Sequence, residues 1–367
     1  MKTGILTFHA SHNYGSMLQA YALQQTVLSL GHECEIINFR TRRQRRFYRP
    51  FFIKGGFRSK IKAILFPRIA IDDRRKYRLF EQFIRDNLRL SGQEYATENQ
   101  LRDAALPYDA IIAGSDQIWN ISCFDHDSAY FLSFARPEVR KIAYAPSMGP
   151  EPHRRPEFSD SIRIALAEFA AISVRESGTA DRIGQITGRR PAIAVDPTLL
   201  LAQEQWLSLI PQRRIHKKDY ILLYTPWYNE HIFNEAAGLA EKWDIDVVVT
   251  QSHYSHLWRK NRHFKFITAT GPLEFLNLIG NAKLIVSGSF HAVVFSLLLD
   301  RQFYAVDGMA DARISNLLNL TGLQNLARKP EMLIDAAETA RLCTAGRQRL
   351  DPLRRQSVEF LKNALGS

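Results

Sequence analysis

The chain has 367 residues, of which 46% are hydrophobic and 23% are charged. This balance is typical of a globular protein, and the length favours two domains. Its three cysteines are far apart and show no metal-ligand spacing, so neither a disulfide scaffold nor a zinc site is expected. No apolar run approaches the roughly 18 residues of a membrane span, and the first residues do not resemble a signal peptide. A cytoplasmic protein is therefore expected.

The net charge of +12 is concentrated in one segment. Residues 40–89 contain 17 Lys and Arg against 4 Asp and Glu, while the rest of the chain has 32 bases and 33 acids. Within it, residues 40–70 mix bases with aromatic and aliphatic side chains, and an irregular structure is predicted there. Such a segment attracts a phosphorylated ligand, an anionic membrane surface or nucleic acid. Alternatively it is a solvated face, and no nucleic-acid motif accompanies it.

The first half of the chain alternates strands and helices, which predicts a parallel sheet. A strand at 3–8, a helix at 17–30 and a strand at 33–38 form a first βαβ unit. The turn between the first strand and the helix carries Asn13 and Tyr14 but lacks the glycine pattern of a dinucleotide site. These residues either line a ligand site or form a turn with an N-cap.

Polar side chains follow two further predicted strands. The buried strand at 108–113 is followed by Asp116 and Gln117, and Arg175 follows a strand that ends at residue 174. Open α/β sheets bind ligands at the carboxyl ends of their strands. An arginine at such a place can bind a carboxylate or phosphate through two parallel hydrogen bonds. Alternatively, Arg175 forms a structural salt bridge with Glu176 or another carboxylate.

The stretch 283–303 combines a short strand, a small-residue turn and an apolar helix. The strand covers residues 284–286, the turn contains Ser287 and Ser289, and His291 stands where the helix begins. The N-terminal end of a helix has partial positive charge and N–H groups without intrahelical partners, which suits an anion. The imidazole of His291 can exchange protons near neutral pH. Alternatively, one serine caps a buried helix and His291 packs at its end.

The second half of the chain resumes the alternation of strands and helices. Strands are predicted at 219–224 and 246–250, and Arg313 lies near the start of a helix at 313–320. The predicted domains are residues 1–200, residues 201–328 and C-terminal helices within 329–367.

Nine segments of the chain resemble the polysaccharide pyruvyl transferase family, and their number and order make the resemblance specific. In chain order they are NYG (13–15), LQAYALQQ (18–25), GHECEIINFR (31–40), AGSDQIWN (113–120), KIAYAPSMG (141–149), SVRESG (173–178), VDPTLLL (195–201), GPLEFLNLIGNAKLIVSGSFHAVVFSLLL (271–299) and RISNLLNLTGL (313–323). Members often have Gly after the Ser-Phe-His, where this chain has Ala292. That change is expected to narrow the pocket beside His291.

The resemblance implies an α/β fold of two Rossmann-like domains in a GT-B-like arrangement, with a cleft between them and C-terminal helices. Residues 1–200 would form the acceptor side and residues 201–328 the donor side. Family members transfer the enolpyruvyl group of phosphoenolpyruvate to a pair of sugar hydroxyls as a cyclic ketal. No metal or organic cofactor is expected, since phosphoenolpyruvate is the donor substrate.

The resemblance supports eight positions as the site, and residue chemistry suggests the role of each. The expected catalytic residues are His291 and Asp116, the donor-binding residues are Arg175, Ser289 and Arg313, and the acceptor-binding residues are Asn13, Tyr14 and Gln117.

The expected partners are phosphoenolpyruvate, a glycan or lipid-linked oligosaccharide acceptor, and an anionic membrane surface bound through residues 40–89. Nucleic acid is not expected. A peripheral position at the inner face of the cell membrane follows from the second and third partners. Two other functions stay open: a GT-B glycosyltransferase that uses a nucleotide-sugar, and a non-catalytic polysaccharide-assembly protein that binds glycan or membrane without turnover.

Overall fold

A computed structural model describes residues 1–50, 67–149, 156–225, 227–251, 255–258, 260–306, 308 and 310–366. The chain divides into two compact units. The N-unit contains the described residues of Met1–Tyr48, Ile84–Leu201 and Pro352–Ser367, and the C-unit contains those of Arg49–Phe83 and Ala202–Asp351. The predicted domain boundary lies between residues 200 and 201, and the N-unit and C-unit divide between Leu201 and Ala202. The two divisions differ because residues 49–83 group with the C-unit and because the C-terminal residues form no unit of their own.

The described residues form twelve strands in two sheets. In chain order the strands are β1 (Lys2–Leu6), β2 (Glu33–Phe39), β3 (Leu90–Tyr95), β4 (Ala110–Ala113), β5 (Arg140–Ala143), β6 (Ala171–Val174), β7 (Ala192–Ile193), β8 (Tyr220–Tyr224), β9 (Asp246–Val249), β10 (Phe264–Phe266), β11 (Leu284–Ser287) and β12 (Phe303–Ala305). All pairs between these strands are parallel.

Helices form most of the crossover connections that parallel pairing requires. In chain order they are α1 (Tyr14–Ser29), α2 (Arg42–Tyr48), α3 (Pro67–Asn87), α4 (Glu98–Asp103), α5 (Pro156–Ala167), α6 (Ser177–Thr187), α7 (Gln203–Leu209), α8 (Glu230–Trp243), α9 (Ser255–Trp258), α10 (Pro272–Asn281), α11 (Phe290–Leu298), α12 (Ala312–Thr321) and α13 (Ala336–Leu365). Short 3₁₀ turns cover Ser128–Phe131 and Pro197–Leu199.

Each sheet reverses its strand order once. The N-unit sheet has the order β3-β2-β1-β4-β5-β6-β7, and the C-unit sheet has the order β10-β9-β8-β11-β12. The order reverses between β1 and β4 and between β8 and β11. At such a switch point the turns that follow the two neighbouring strands leave a crevice at the carboxyl edge of the sheet, where open α/β sheets bind ligands.

The central strands form because they are apolar on both faces. Every residue of β4, β8 and β11 is buried, as expected for parallel strands with helices on both sides. In register, Ile5 of β1 pairs with Ile36 of β2 on one side and with Ile112 of β4 on the other. These strands confirm the predicted parallel α/β class.

Several elements differ from the predictions. The segment 40–70 was expected to be irregular, but its first part forms α2; residues 51–66 lie outside the described part of the chain. The edge strand β3 was not predicted because LSGQEY is polar and contains glycine. Separate C-terminal helices were predicted at 330–342 and 348–365, whereas one helix, α13, covers Ala336–Leu365 and continues through Pro352.

Among the described residues, no helix is long and apolar enough to cross a membrane. The same part of the chain contains no group of three or more His, Cys, Asp or Glu side chains arranged to hold a metal ion.

The buried cysteines allow a test of the packing. Burial raises the pKa of Cys34 and of Cys343 to about 12, so about 10⁻⁴ of each is thiolate at pH 8. We expect a disulfide reagent at pH 8 to modify only Cys123, which is partly exposed, and to modify all three thiols in urea. Mass spectrometry of the labelled peptides checks this. Rapid labelling of Cys34 or Cys343 in the native protein would contradict the packing.

Candidate functional site

The C-unit switch point lies between the turns that follow β8 and β11. The turn after β11 contains Gly288, where an added Cβ would lie 3.3 Å from Cδ1 of Ile232, in the first turn of α8. The same Cβ would lie 3.7 Å from the carbonyl oxygen of Val306. A small residue at this position therefore lets the start of α11 lie close to the start of α8.

Two serines hold this turn. The hydroxyl of Ser287 donates to the carbonyl of Tyr224 at the end of β8 and accepts a hydrogen bond from the backbone N–H of Ser289 at 3.0 Å. Ser289 is the N-cap residue of α11, but its side chain makes no capping hydrogen bond. Capping by a serine was the alternative interpretation of this turn. Instead, Ser287 joins the two strand ends.

His291 and Arg313 both lie close to one aromatic ring, that of Phe290. The imidazole centroid of His291 is 5.3 Å from the ring centroid of Phe290, and the guanidinium carbon of Arg313 is 5.8 Å from the same ring. Arg313 donates to both carboxylate oxygens of Asp311, from Nε at 3.1 Å and from Nη2 at 2.7 Å. Burial works against the charge of Asp311, but the bonds and charge of Arg313 lower the pKa of that carboxyl.

Burial separates the roles that these side chains can have. His291 and Ser289 are each 8% exposed, whereas the Arg313 side chain is 23% exposed. The structure thus brings together three of the predicted residues beyond the carboxyl ends of β11 and β12: an imidazole, a hydroxyl and a guanidinium.

The N-unit switch point contains Asn13 and Asp116. Asn13 Oδ1 accepts hydrogen bonds from the backbone N–H groups of Gly15 and Ser16 at 2.9 and 3.3 Å, so Asn13 is the N-cap of α1. Asp116 follows β4 in the left-handed region at φ 71°, and its Oδ2 accepts from the hydroxyl of Ser16 at 2.5 Å. Its Oδ1 accepts from the N–H of Gln117 at 2.9 Å. The switch point thus joins α1 to the turn after β4.

The other two predicted acceptor residues lie in the same region. Tyr14 is the first residue of α1 and is 3% exposed. The side-chain oxygen of Gln117 accepts from Asn120 at 2.6 Å and from the thiol of Cys123 at 3.5 Å. Gln117 is therefore held within its own turn.

Arg175 is a buried member of an ion-pair cluster. Its side chain is 3% exposed, its Nη1 donates to Asp196 at 2.9 Å, and its Nε lies 3.5 Å from Glu176. Burial opposes the charge, but the charges of Asp196, Glu176 and Asp116 together raise the pKa of Arg175 above its usual value. This arrangement is the structural alternative to donor binding, and the donor role of Arg175 stays a prediction.

The sequence did not identify four residues that support these sites. Asp196, the partner of Arg175, lies within the segment 195–201 that resembles the family, and Ser16, the partner of Asp116, lies between the segments 13–15 and 18–25. No sequence pattern signalled either contact. Asp125 accepts from Tyr48 at 2.5 Å, and burial raises the pKa of this carboxyl. No motif marked either residue of that pair.

The family model described as polysaccharide pyruvyl transferase matches residues 13–308, which is more than half of the chain. The chain belongs to the polysaccharide pyruvyl transferase family. The resemblance inferred from the sequence is therefore confirmed. The matched residues of this pyruvyl transferase family member include Asn13 and Asp116 at the N-unit switch point and Ser289 and His291 at the C-unit switch point.

Two solved structures are similar to this family member over most of their length. A UDP-bound MnaA from S. aureus has a TM-score of 0.53 at 10% identity, with 98% of this chain and 91% of that chain covered. A protein from Listeria monocytogenes that is provisionally assigned as a UDP-N-acetylglucosamine 2-epimerase has a TM-score of 0.51 at 10% identity. The match covers 95% of this chain and 90% of that chain. At such identity the likeness shows the fold alone. No curated protein sequence matches the chain.

The buried cluster of the family member leads to a stability prediction. Asp196→Asn removes the negative charge closest to the buried guanidinium of Arg175, which then lacks its main counter-charge. We therefore expect the free energy of unfolding to fall by about 3 kcal/mol. The matched control is Asp181→Asn, which breaks an exposed pair with Arg190 and should cost less than about 1 kcal/mol. Urea unfolding compares the two. Equal, small losses would contradict the role of the cluster.

Proposed function

We propose that this protein transfers the enolpyruvyl group of phosphoenolpyruvate to two hydroxyls of a sugar, in a polysaccharide or its precursor, and releases phosphate. The family supplies the general activity. The observation that carries the proposal is the cluster of Ser289, His291 and Arg313 at the C-unit switch point, because a carboxylate and a phosphate need cationic and N–H partners.

The donor would bind at the start of α11. The partial positive charge and the N–H groups of the first helical turn suit phosphate oxygens. The hydroxyl of Ser289 is not used for capping and would add a further donor. Arg313, whose orientation is fixed by Asp311, would hold the carboxylate or the phosphate.

The reaction requires a balanced exchange of bonds and protons. The vinyl carbon gains a proton and becomes a methyl group, and a sugar hydroxyl bonds to the neighbouring carbon. The bond from this carbon to the phosphate oxygen then breaks, and a second sugar hydroxyl closes the ring. One of the two hydroxyl protons balances the new methyl proton, and the other leaves with phosphate.

His291 would transfer a proton in this reaction, either to the vinyl carbon or from a hydroxyl. A positioned acid or base typically contributes 10²–10⁴-fold in rate. On the acceptor side, Asp116 and Gln117 would orient or deprotonate a hydroxyl, while Asn13 and Tyr14 would shape the site by fixing the start of α1. Arg175 would assist by fixing the charge around Asp116.

The test of this function is release of phosphate from phosphoenolpyruvate in the presence of a panel of glycans, with a sugar product that has gained the mass of a pyruvate ketal. Consumption of a nucleotide-sugar without phosphoenolpyruvate would instead support a glycosyltransferase. Neither activity would favour the non-catalytic assembly protein.

In the same assay, His291→Ala should lower kcat by about 10²–10⁴-fold while the thermal midpoint stays close to that of the wild type. The matched control is His216→Ala, because His216 is a half-buried histidine of the C-unit that pairs with Asp246 at the start of β9. We expect near-normal turnover in this control. A normally folded and active His291→Ala enzyme would exclude His291 as the acid or base.

We also propose that the basic segment binds an anionic membrane surface. Gln44 of α2 is buried, while Arg42, Arg43 and Arg46 are exposed. Such cations attract anionic lipid by about 1 kcal/mol each. Residues 51–66, which contain further bases, lie outside the described residues.

Vesicles test this partner. Replacing Arg42 and Arg46 by Gln should weaken binding to phosphatidylglycerol-rich vesicles about 30-fold, from about 2 kcal/mol of lost attraction. Arg163→Gln combined with Arg341→Gln removes two exposed charges elsewhere and serves as the control. Equal losses in both variants, or equal binding to neutral vesicles, would argue against a membrane-binding segment.

A further inference from the structure

Trp227 is the most exposed large hydrophobic side chain in the described part of the protein. It is 81% exposed, whereas Trp119 and Trp206 are fully buried. Burying a large apolar side chain typically stabilises a fold by about 1.5–3 kcal/mol, and an indole left in water contributes little of this. Trp227 therefore contributes little to the stability of the fold, and its exposure favours a role in binding.

The turn that carries Trp227 is fastened on both sides. The hydroxyl of Thr225 donates to the carbonyl of Trp227 at 2.7 Å, and the side-chain amide of Gln251 donates to the carbonyl of Thr225. On the other side, the ring of Tyr228 packs 5.2 Å from Phe233 of α8. The indole is thus presented to solvent by a turn with fixed ends.

Further contacts extend this attachment beyond the turn. Trp258 Nε1 donates to the hydroxyl of Tyr228 at 3.4 Å. Asn229 caps α8 by accepting from two N–H groups at 3.0 and 3.3 Å. The described residues on both sides of Trp227 are therefore held by hydrogen bonds and ring contacts. Fewer groups need to be ordered when a ligand binds, which lowers the entropy cost of binding.

The turn lies at the C-unit switch point. It follows β8, and the turn with Ser289 follows β11, the neighbouring parallel strand. The close approach of Ile232 in α8 to Gly288 brings the two turns to the same edge of the sheet. Trp227 and His291 therefore belong to the two turns that border one crevice.

The chemistry of the proposed reaction defines what such an indole would meet. A sugar hydroxyl must come within about 3–3.5 Å of the donor carbon before a bond can form. If the donor lies at the start of α11, the reacting sugar must lie beside this switch point. A pyranose ring presents C–H groups on its faces and hydroxyls around its rim. A flat, amphipathic indole suits such a face and leaves the hydroxyls accessible.

We propose that Trp227 is a stacking platform for the sugar ring of the acceptor and so helps to determine which sugar is modified. This inference rests on the proposed function. It adds to the acceptor side a residue of the C-unit that the sequence motifs did not mark.

Kinetics provide the first test. Trp227→Ala should raise the acceptor KM at least about tenfold, as expected for the loss of one stacked ring, and Trp227→Phe should recover most of the affinity. The KM for phosphoenolpyruvate and the kcat at saturating acceptor should change less than about twofold. An unchanged acceptor KM in Trp227→Ala would overturn the proposal.

The matched control is Met332→Ala. Met332 is another strongly exposed hydrophobic residue of the C-unit at 69%, and its carbonyl accepts a hydrogen bond from Gln302, the residue that precedes β12. Met332 therefore lies near the amino end of β12, whereas Trp227 follows the carboxyl end of β8. Substitution of Met332 should leave the acceptor KM unchanged, and an equal increase in both variants would overturn a specific role for Trp227.

Fluorescence provides a second test that does not need turnover. Trp227 should account for much of the quenching by acrylamide, since two of the other indoles are fully buried. Methyl hexopyranosides should protect the wild type from this quenching, whereas Trp227→Phe should show no protection. Protection by uridine monophosphate alone, or by phosphatidylglycerol vesicles alone, would overturn the proposal in favour of base stacking or membrane contact.

The two tests separate this inference from the function on which it rests. Sugar protection without phosphate release from phosphoenolpyruvate would keep the platform and reject the pyruvyl transfer. Phosphate release with an unaltered acceptor KM in Trp227→Ala would keep the transfer and reject the platform.

Discussion

The reversal of strand order in each sheet is the constraint on which the other features depend. Parallel strands need a crossover connection, usually a helix, between one strand and the next, so each strand ends in a turn at the same edge of the sheet. Only where the order reverses do two neighbouring turns lead away from each other and leave a crevice. In the N-unit the turns after β1 and β4 border it, and in the C-unit the turns after β8 and β11 do so. Six of the candidate residues lie on these turns or in the first turn of the helix that follows, whereas Arg175 follows β6 and Arg313 lies in α12, after β12.

Two arginines show how burial decides what a charged group can do. The Arg175 side chain is 3% exposed, and its ion pair with Asp196 offsets the cost of burying its positive charge. Arg313 is 23% exposed, and a single carboxylate, Asp311, holds it through two bonds next to Phe290. The first arrangement resists any ligand that would draw the guanidinium away. The second orients a guanidinium at a surface where an anionic substrate can arrive.

The buried central strands, and the places of the candidate residues at the strand ends, were predictable, while the contacts of these residues were not. Strands such as β8 are apolar on both faces, so a short continuous run marks them. α2 has no such pattern in its sequence. It is stabilised by contacts with distant parts of the chain, including the hydrogen bond from Tyr48 to Asp125. The bond from Ser16 to Asp116 joins residues 100 positions apart, which no local pattern can indicate. The contact of Asp311 with Arg313 is local, since the two residues are two positions apart, and the sequence alone allows it.

Ala292 illustrates how a small departure from the family pattern acts through the backbone. Its side chain is fully buried in α11, and its carbonyl accepts a hydrogen bond from Ser296 at 2.7 Å. A glycine here would leave the unfolded chain more freedom and would weaken the helix by roughly 0.5–1 kcal/mol. Alanine therefore stabilises the first turn of the helix that carries His291. In the proposed function that turn would also provide the N–H groups for the donor's phosphate, so a firmer helix start would favour a fixed donor geometry over adaptability.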